Sequence, residues 1–230
     1  METLARPAVP IVHRVRVERV GRVSHDAATE LQADALRRVL EGGGETVFLL
    51  EHEPVYTLGR NASAADVLLS PERLSQLGVA LRETDRGGKV TYHGPGQLVG
   101  YPVLNLSPDR RDVKRYVTDL EDTLIRTLAD WGIRGTRSTR PERVTSVWVG
   151  DDKVAAIGVH LSRWITTHGF ALNVTDEPLP FFGGIVPCGI VDGGVTSMER
   201  LLGRRLTLDE VADAWLAHFG EVFGREIIGS

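Results

Sequence analysis

Three runs, SVWVG at Ser146–Gly150, KVAAIGVHLS at Lys153–Ser162 and WITTHGFALNV at Trp164–Val174, follow one another with only Asp151-Asp152 and Arg163 between them. Each is rich in Val, Ile, Thr and aromatic residues, which suit a pleated, half-buried backbone, and the joints are short and polar. The stretch therefore predicts three adjacent antiparallel strands. It also places a charged residue, Lys153, at the start of an apolar strand, and a His-Gly pair, His168-Gly169, inside another.

Outward from this seed the chain is mixed. From Ser24, SHDAATELQADALRRVLEGGG sets Ala28, Leu31, Ala35 and Val39 on one helical face, with Ser24 as N-cap and Gly42–Gly44 as the stop. ETVFLL (Glu45–Leu50) and VYTL (Val55–Leu58) read as a buried strand and a bent extension. Pro71–Leu77 predicts a short helix that leaves at Gly78. Val79–Arg82, Lys89–Tyr92 and Leu98–Leu106 are strand-like runs set between Gly and Pro. The strongest helical period spans Asp112–Trp131, through Val113, Tyr116, Val117, Leu120, Leu124 and Leu128. Thr207-Leu208-Asp209-Glu210 is a capping box that opens a terminal helix through Val211, Trp215, Phe219 and Val222. Strands mixed with helices, without strict βαβ alternation, indicate an α+β fold. No linker or charge block divides residues 1–230, which predicts a single domain.

With 42% hydrophobic and 25% charged residues the composition is that of a soluble globular protein. The net charge of −4 argues against a nucleic-acid partner. No stretch has the length and apolarity of a membrane span or a signal core, so neither a membrane nor a secreted location is expected, and the chain reads as cytoplasmic. The single cysteine leaves no disulfide framework and no Cys-cluster metal site.

That cysteine, Cys188, stands in IVPCGI, between a proline that fixes the backbone and a glycine that frees it. A lone cysteine ordinarily packs as a small apolar residue; as a nucleophile it needs a cation or base beside it, because an unperturbed thiol is only a few per cent ionised at neutral pH. Lys153 is the candidate cation, against its plain reading as a solvated hairpin lysine. The run from Arg86 through Gly87, Gly88, Lys89, Val90, Thr91, Tyr92 and His93 to Gln97 packs four glycines, a proline and a histidine into twelve positions. It reads as a loop whose backbone lies against a ligand, with His93 at its tip; it fits no phosphate-loop pattern. His168 is a possible auxiliary group. These residues carry the reading as far as thiol-based acyl transfer.

EHEPVYTLGR (Glu51–Arg60), RGGKVTYHGPGQLVGYP (Arg86–Pro102), KVAAIGV (Lys153–Val159), THGFALNV (Thr167–Val174) and PCG (Pro187–Gly189) together resemble the octanoyl-carrier-protein:protein octanoyltransferases of lipoate synthesis. Ser146, where many members have Gly, and Met198, where Leu is common, are small departures. The resemblance implies a mixed, largely antiparallel sheet backed by helices, like that of biotin and lipoate protein ligases. It implies Cys188 as thioester nucleophile and Lys153 as the residue that lowers its pKa. It implies substrate-lining segments at Arg86–His93, at Ala156, Ile157 and Gly158, and at Gly169, Phe170 and Ala171. By the same resemblance the donor is octanoyl-acyl carrier protein. The acceptors are lipoyl domains of 2-oxoacid dehydrogenases and the glycine cleavage H protein, and no cofactor or metal takes part. An ATP-using ligase on the same fold and a noncatalytic acyl-binding protein are the alternatives, separated by whether Cys188 is needed and ATP dispensable. Arg137, Arg140, Arg143 and Arg163 are expected to form a basic docking patch for acidic partners.

Overall fold

The computed structural model describes residues 13–138, 145–186 and 194–229. In chain order these form β1 (His13–Val23), α1 (His25–Leu40), β2 (Glu45–His52), β3 (Val55–Leu58), α2 (Pro71–Leu77), β4 (Ala80–Glu83), β5 (Val90–His93), β6 (Gln97–Val103), α3 (Val113–Asp130), β7 (Thr136–Arg137), β8 (Ser146–Val149), β9 (Asp152–Ser162), β10 (Ile165–Asn173), α4 (Met198–Leu202), α5 (Leu208–Phe223) and β11 (Arg225–Ile228). The caps sit where the side chains dictate. The Ser24 hydroxyl accepts from the Ala27 amide, the Asp112 carboxylate accepts from the Arg115 amide, and Thr207 and Glu210 close a reciprocal capping box.

The main sheet runs β11-β1-β2-β6-β10-β9-β8-β7, and a second sheet runs β4-β3-β5. In the main sheet β1 pairs in parallel with both β2 and β11, while the pairs from β2 to β7 are antiparallel. The fold is thus the mixed, largely antiparallel α+β one that the sequence implied. The three runs that open the sequence reading are β8, β9 and β10, hydrogen-bonded side by side. Trp164 is not in the third strand. With Arg163 it forms the hairpin tip, both residues at positive φ (66° and 50°), a turn usually made with Gly or Asn. Strand β1 is missed because about half its residues are charged, and the edge strand β11 because four residues give no period.

Alternation along each strand sorts side chains between two cores. Val47 and Leu49 of β2, Leu98 of β6, and Phe170 and Leu172 of β10 join α3 and α5 in the larger cluster, built around Leu120, Leu124, Trp215 and Phe219. Their neighbours Phe48, Leu50, Val99, Tyr101 and Ala171 face α1. A third cluster gathers Tyr56, Tyr92 and Phe182 under the small sheet. On the α1 side of the main sheet, between it and the loop leading to β5, the filling stops.

Candidate active site

On β9 and β10, Ala156 lies directly across from Ala171, and Gly158 from Gly169. The two alanines put only methyl groups there, and a cleft open to solvent lies beside them, while the Gly87 carbonyl comes down on Gly158 and the Gly100 carbonyl lies against Gly169. Arg86–Gly88 and the start of β5 make the facing wall. His25 and Tyr101 close one side, and Thr145, Ser146 and Lys153 stand at the end where β8 meets β9. Every substrate-lining residue expected from the sequence borders this cleft except Tyr92. Alternation along β5 turns Tyr92 away: its ring stacks on Phe181 with centroids 4.5 Å apart.

Arg86 and the glycines beside it are less open to a ligand than their composition suggests. The guanidinium of Arg86 donates to the Thr57 hydroxyl (2.8 Å) and carbonyl (2.7 Å) and to the Gly87 carbonyl (3.0 Å), which ties the loop to β3. The Gly87 amide donates to the Val159 carbonyl at 2.9 Å, and a Cβ on Gly158 would stand 2.9 Å from the Gly87 oxygen. Gly158 is therefore required for close approach of the loop to β9. Gly88 has φ +89°, so a β-branched residue there would strain the turn as well as crowd the cleft.

Histidines line the cleft and lie behind it. The Val23 carbonyl can only accept, so His52 donates from Nδ1 (3.3 Å), and its Nε2 takes the Tyr101 hydroxyl proton at 2.7 Å. Burial, reinforced by neighbouring histidine charge, lowers His52 to about 3 and His25 to about 4. Both rings are neutral at physiological pH. His93 is pushed far below its usual range by burial as well. Its tautomer is set by an amide chain. Gln97 gives its nitrogen to the Tyr92 carbonyl and to Asn173 Oδ1 (2.9 Å), so its oxygen accepts from His93 Nδ1 (3.1 Å), leaving Nε2 as the acceptor. Asn173 in turn donates to the Thr196 carbonyl at 2.9 Å.

His168 differs from these. It is buried at φ +57°, its amide donates to Gln32 Oε1 at 2.6 Å, and its Nε2 donates to Asp85 Oδ1 at 2.7 Å. The hydrogen bond from His168 holds the Asp85 carboxyl down to about 2. Asp85 also meets His160 (3.5 Å), which accepts from Arg60 at 2.7 Å, so a polar chain runs from the cleft to the surface.

Lys153 is 8% exposed, which excludes the solvated hairpin reading. Its backbone bonds to Gly194 and Thr196, and its ammonium stands 5.7 Å from the Trp148 ring centroid. Gln97 and Asn173 border the same small cavity as Lys153. Cys188, with Pro187 and Gly189, lies outside the described residues; the nearest described neighbours are Val186, whose amide donates to Asp66, and Gly194, bonded to Lys153. Arg140 and Arg143 lie outside them too. Arg137 pairs with Glu121 and Asp122, at the register of Ala155 on β9, whereas Arg163 is at the hairpin tip eight residues on, about 26 Å at about 3.3 Å per residue. The basic patch expected from these arginines is not assembled among the described ones. Among the described residues no group of three or more His, Cys, Asp or Glu is arranged to hold a metal, and no helix is long and apolar enough to cross a membrane.

The sequence reading missed His25, Tyr101, Asp85, Gln97 and Asn173. Gln97 and Asn173 stand inside its quoted motifs, and polar residues in otherwise apolar strands were the available signal. Asp85, in an ordinary loop, gives none.

The chain matches the family described as lipoyl protein ligase A/B catalytic domain over residues 26–220. It is 48% identical to an octanoyltransferase of Myxococcus xanthus, over 94% of this chain and 61% of that protein, so it spans less than two thirds of that relative. It is 46% identical to an octanoyltransferase of Solibacter usitatus, over 92% of this chain and 94% of that one. Among solved structures it resembles the bi-partite lipoate protein ligase of Thermoplasma acidophilum (TM-score 0.72, 16% identity, 95% of this chain and 86% of that one). It also resembles the biotin protein ligase of Aquifex aeolicus (TM-score 0.58, 13% identity, 90% and 69%). At those identities the structures establish the shared fold.

Proposed function

The chain belongs to the octanoyltransferase family, within the lipoyl protein ligase A/B catalytic-domain group, and from that premise we propose that it moves an octanoyl group from acyl carrier protein onto Cys188 and then onto a lipoyl-domain lysine. The work is done in the cytoplasm by one catalytic domain over residues 1–230, without cofactor. The acceptors are lipoyl domains of 2-oxoacid dehydrogenases and the glycine cleavage H protein. The observation that carries the reading is the burial of Lys153 at one end of a cleft bordered by Ala156, Gly158, Gly169 and Ala171. A buried ammonium stabilises an adjacent anion, and the alanine methyl groups accept an unbranched alkyl chain.

In the first half-reaction the Cys188 thiolate, held by the Lys153 ammonium, attacks the thioester carbonyl carbon. The carbon–sulfur bond to the carrier breaks, and the carrier sulfur leaves with the electron pair and takes a proton from the Lys153 ammonium, which leaves Lys153 as a neutral amine. In the second half-reaction the target amine attacks the acyl-cysteine carbonyl. The bond to Cys188 sulfur breaks, the thiolate returns, and the amine proton passes to Lys153 acting as a neutral base. Amides of the Arg86–His93 segment are the donors offered to the developing oxyanion.

The test is transfer from octanoyl carrier protein to a lipoyl domain without ATP, with Lys153→Ala and Cys188→Ser alongside. The reading expects ATP-independent transfer, a fall of about 10²- to 10⁴-fold for Lys153→Ala, and thiol alkylation of Lys153→Ala moved to the pH range of an ordinary cysteine. Dependence on ATP, or alkylation that tracks the wild type across pH, would sink it.

A further inference from the structure

We propose that Gln97 is a positioning residue for the aminolysis half of acyl transfer. With Asn173 it fixes His93 as the Nδ1–H tautomer, so that the ring offers its Nε2 lone pair to the incoming lysine amine. This deepens the acyl-transfer reading and rests on it. Gln97 on β6 and Asn173 on β10 stand directly opposite each other in fully buried strands. They are 1% and 4% exposed, so their polar atoms must find partners inside the protein. The chain of partners starts beside Lys153. The Thr196 amide donates to the Lys153 carbonyl at 3.0 Å, and the Thr196 carbonyl can only accept. Asn173 therefore turns its nitrogen there (2.9 Å) and its oxygen to Gln97. Gln97 then meets two acceptors, Asn173 Oδ1 (2.9 Å) and the Tyr92 carbonyl (3.2 Å), and both its N–H groups are used on them. Only its oxygen remains for His93 Nδ1 (3.1 Å), which must carry the proton.

The other ring nitrogen is thereby a bare lone pair. His93 is 7% exposed and borders the cleft, and among the described residues its Nε2 has no hydrogen-bond partner. Of the two half-reactions, only the second brings a donor to the reacting atom. The thioester carbonyl and the thiolate are themselves acceptors and are repelled by a lone pair, whereas the attacking amine carries N–H. As its nitrogen bonds to the acyl carbon it gains positive charge, so a hydrogen bond to a neutral imidazole tightens on the way to the transition state. Burial keeps the ring from holding a proton of its own. His93 thus orients the amine, while the proton passes to Lys153 as the bond to Cys188 sulfur breaks. An uncharged partner suits this role, because a carboxylate on Nδ1 would favour the imidazolium, which has no lone pair.

The experiment separates the half-reactions in single turnovers of the full chain. Octanoyl carrier protein alone loads the enzyme, a lipoyl domain then discharges it, and intact mass follows both steps. Gln97→Met keeps the volume and removes the amide. In that variant loading should run at the wild-type rate while discharge slows about 10- to 100-fold, the worth of one hydrogen bond to a charged group. Thiol alkylation should keep its wild-type pH profile, whereas a residue that only held the fold together would slow both steps. The tautomer is read in the wild type from the ring nitrogen resonances, so it stands even where Gln97→Met is too unstable to assay: His93 should show Nδ1 protonated and Nε2 bare at neutral pH. A protonated Nε2, equal slowing of loading and discharge, or an alkylation profile moved by Gln97→Met would overturn the proposal while acyl transfer stands. A wild type that never gains the octanoyl mass would instead end the acyl-enzyme reading beneath it.

Discussion

Strands β9 and β10 present two unlike surfaces on the same backbone. Toward α3 and α5 they carry Ala155, Ile157, Val159, Phe170 and Leu172, packed on Trp215 and its neighbours. Toward the loop before β5 they carry Ala156, Gly158, Gly169 and Ala171, and around these stand histidines rather than leucines, His25 and His93 among them held neutral by burial. The first surface is filled by the protein's own side chains; the second is left to be filled by something else. Stability and specificity are therefore expected to separate between adjacent residues of one strand.

Phe170 and Ala171 are that pair. The Phe170 ring lies 4.7 Å from that of Trp215 and fills the space over Gly100, where a Cβ would stand 2.2 Å from the ring. Phe170→Ala should cost about 3 to 5 kcal/mol by chemical denaturation, the usual range for removing a buried aromatic ring. A cost below about 1 kcal/mol would show that the two surfaces do not differ as described.

Acid should attack the cleft surface first. His25 and His52 titrate near 4 and 3 when folded and near 6.5 when unfolded, so below about 6.5 the unfolded chain binds protons that the folded one refuses. Their contribution is whole above that pH and lost as pH falls toward 4, on the order of 2 to 3 kcal/mol for each. Amide exchange between pH 7 and 4.5 should show β2 and the start of α1 opening before α3 and α5. Uniform loss of protection would contradict this.

The smallest effect is expected at Ala171→Val. Two added methyl groups should cost about 1 kcal/mol of stability, the low end for added methylenes at a packed site, yet move the preferred acyl length down by about two carbons among straight-chain acyl thioester donors of about six to twelve carbons. An unchanged length profile would place the acyl chain elsewhere.

How far these surfaces could be read in advance depended on the kind of signal. The hairpins β8–β9–β10 were legible because apolar runs and polar turns alternate there, and the cleft-lining residues of β9 and β10 only through the resemblance carried by KVAAIGV and THGFALNV. Tyr92 was misplaced because a whole motif was taken as lining, although alternation along β5 turns every second side chain the other way. The Asp85–His168 pair was illegible: its members are 83 residues apart, and a loop aspartate has no period. The parallel pairing of β1 with β11 was equally hidden, since it joins segments from opposite ends of the chain.

Intact mass of the protein after mixing with octanoyl carrier protein alone, with no lipoyl domain and no ATP, tests the central claim most directly. The account predicts one added octanoyl group, located on Cys188 by peptide mapping, absent in Cys188→Ser, and discharged when a lipoyl domain is supplied. A protein that transfers octanoate to the lipoyl domain at full rate while never carrying that mass, or that carries it at another residue, would contradict the account.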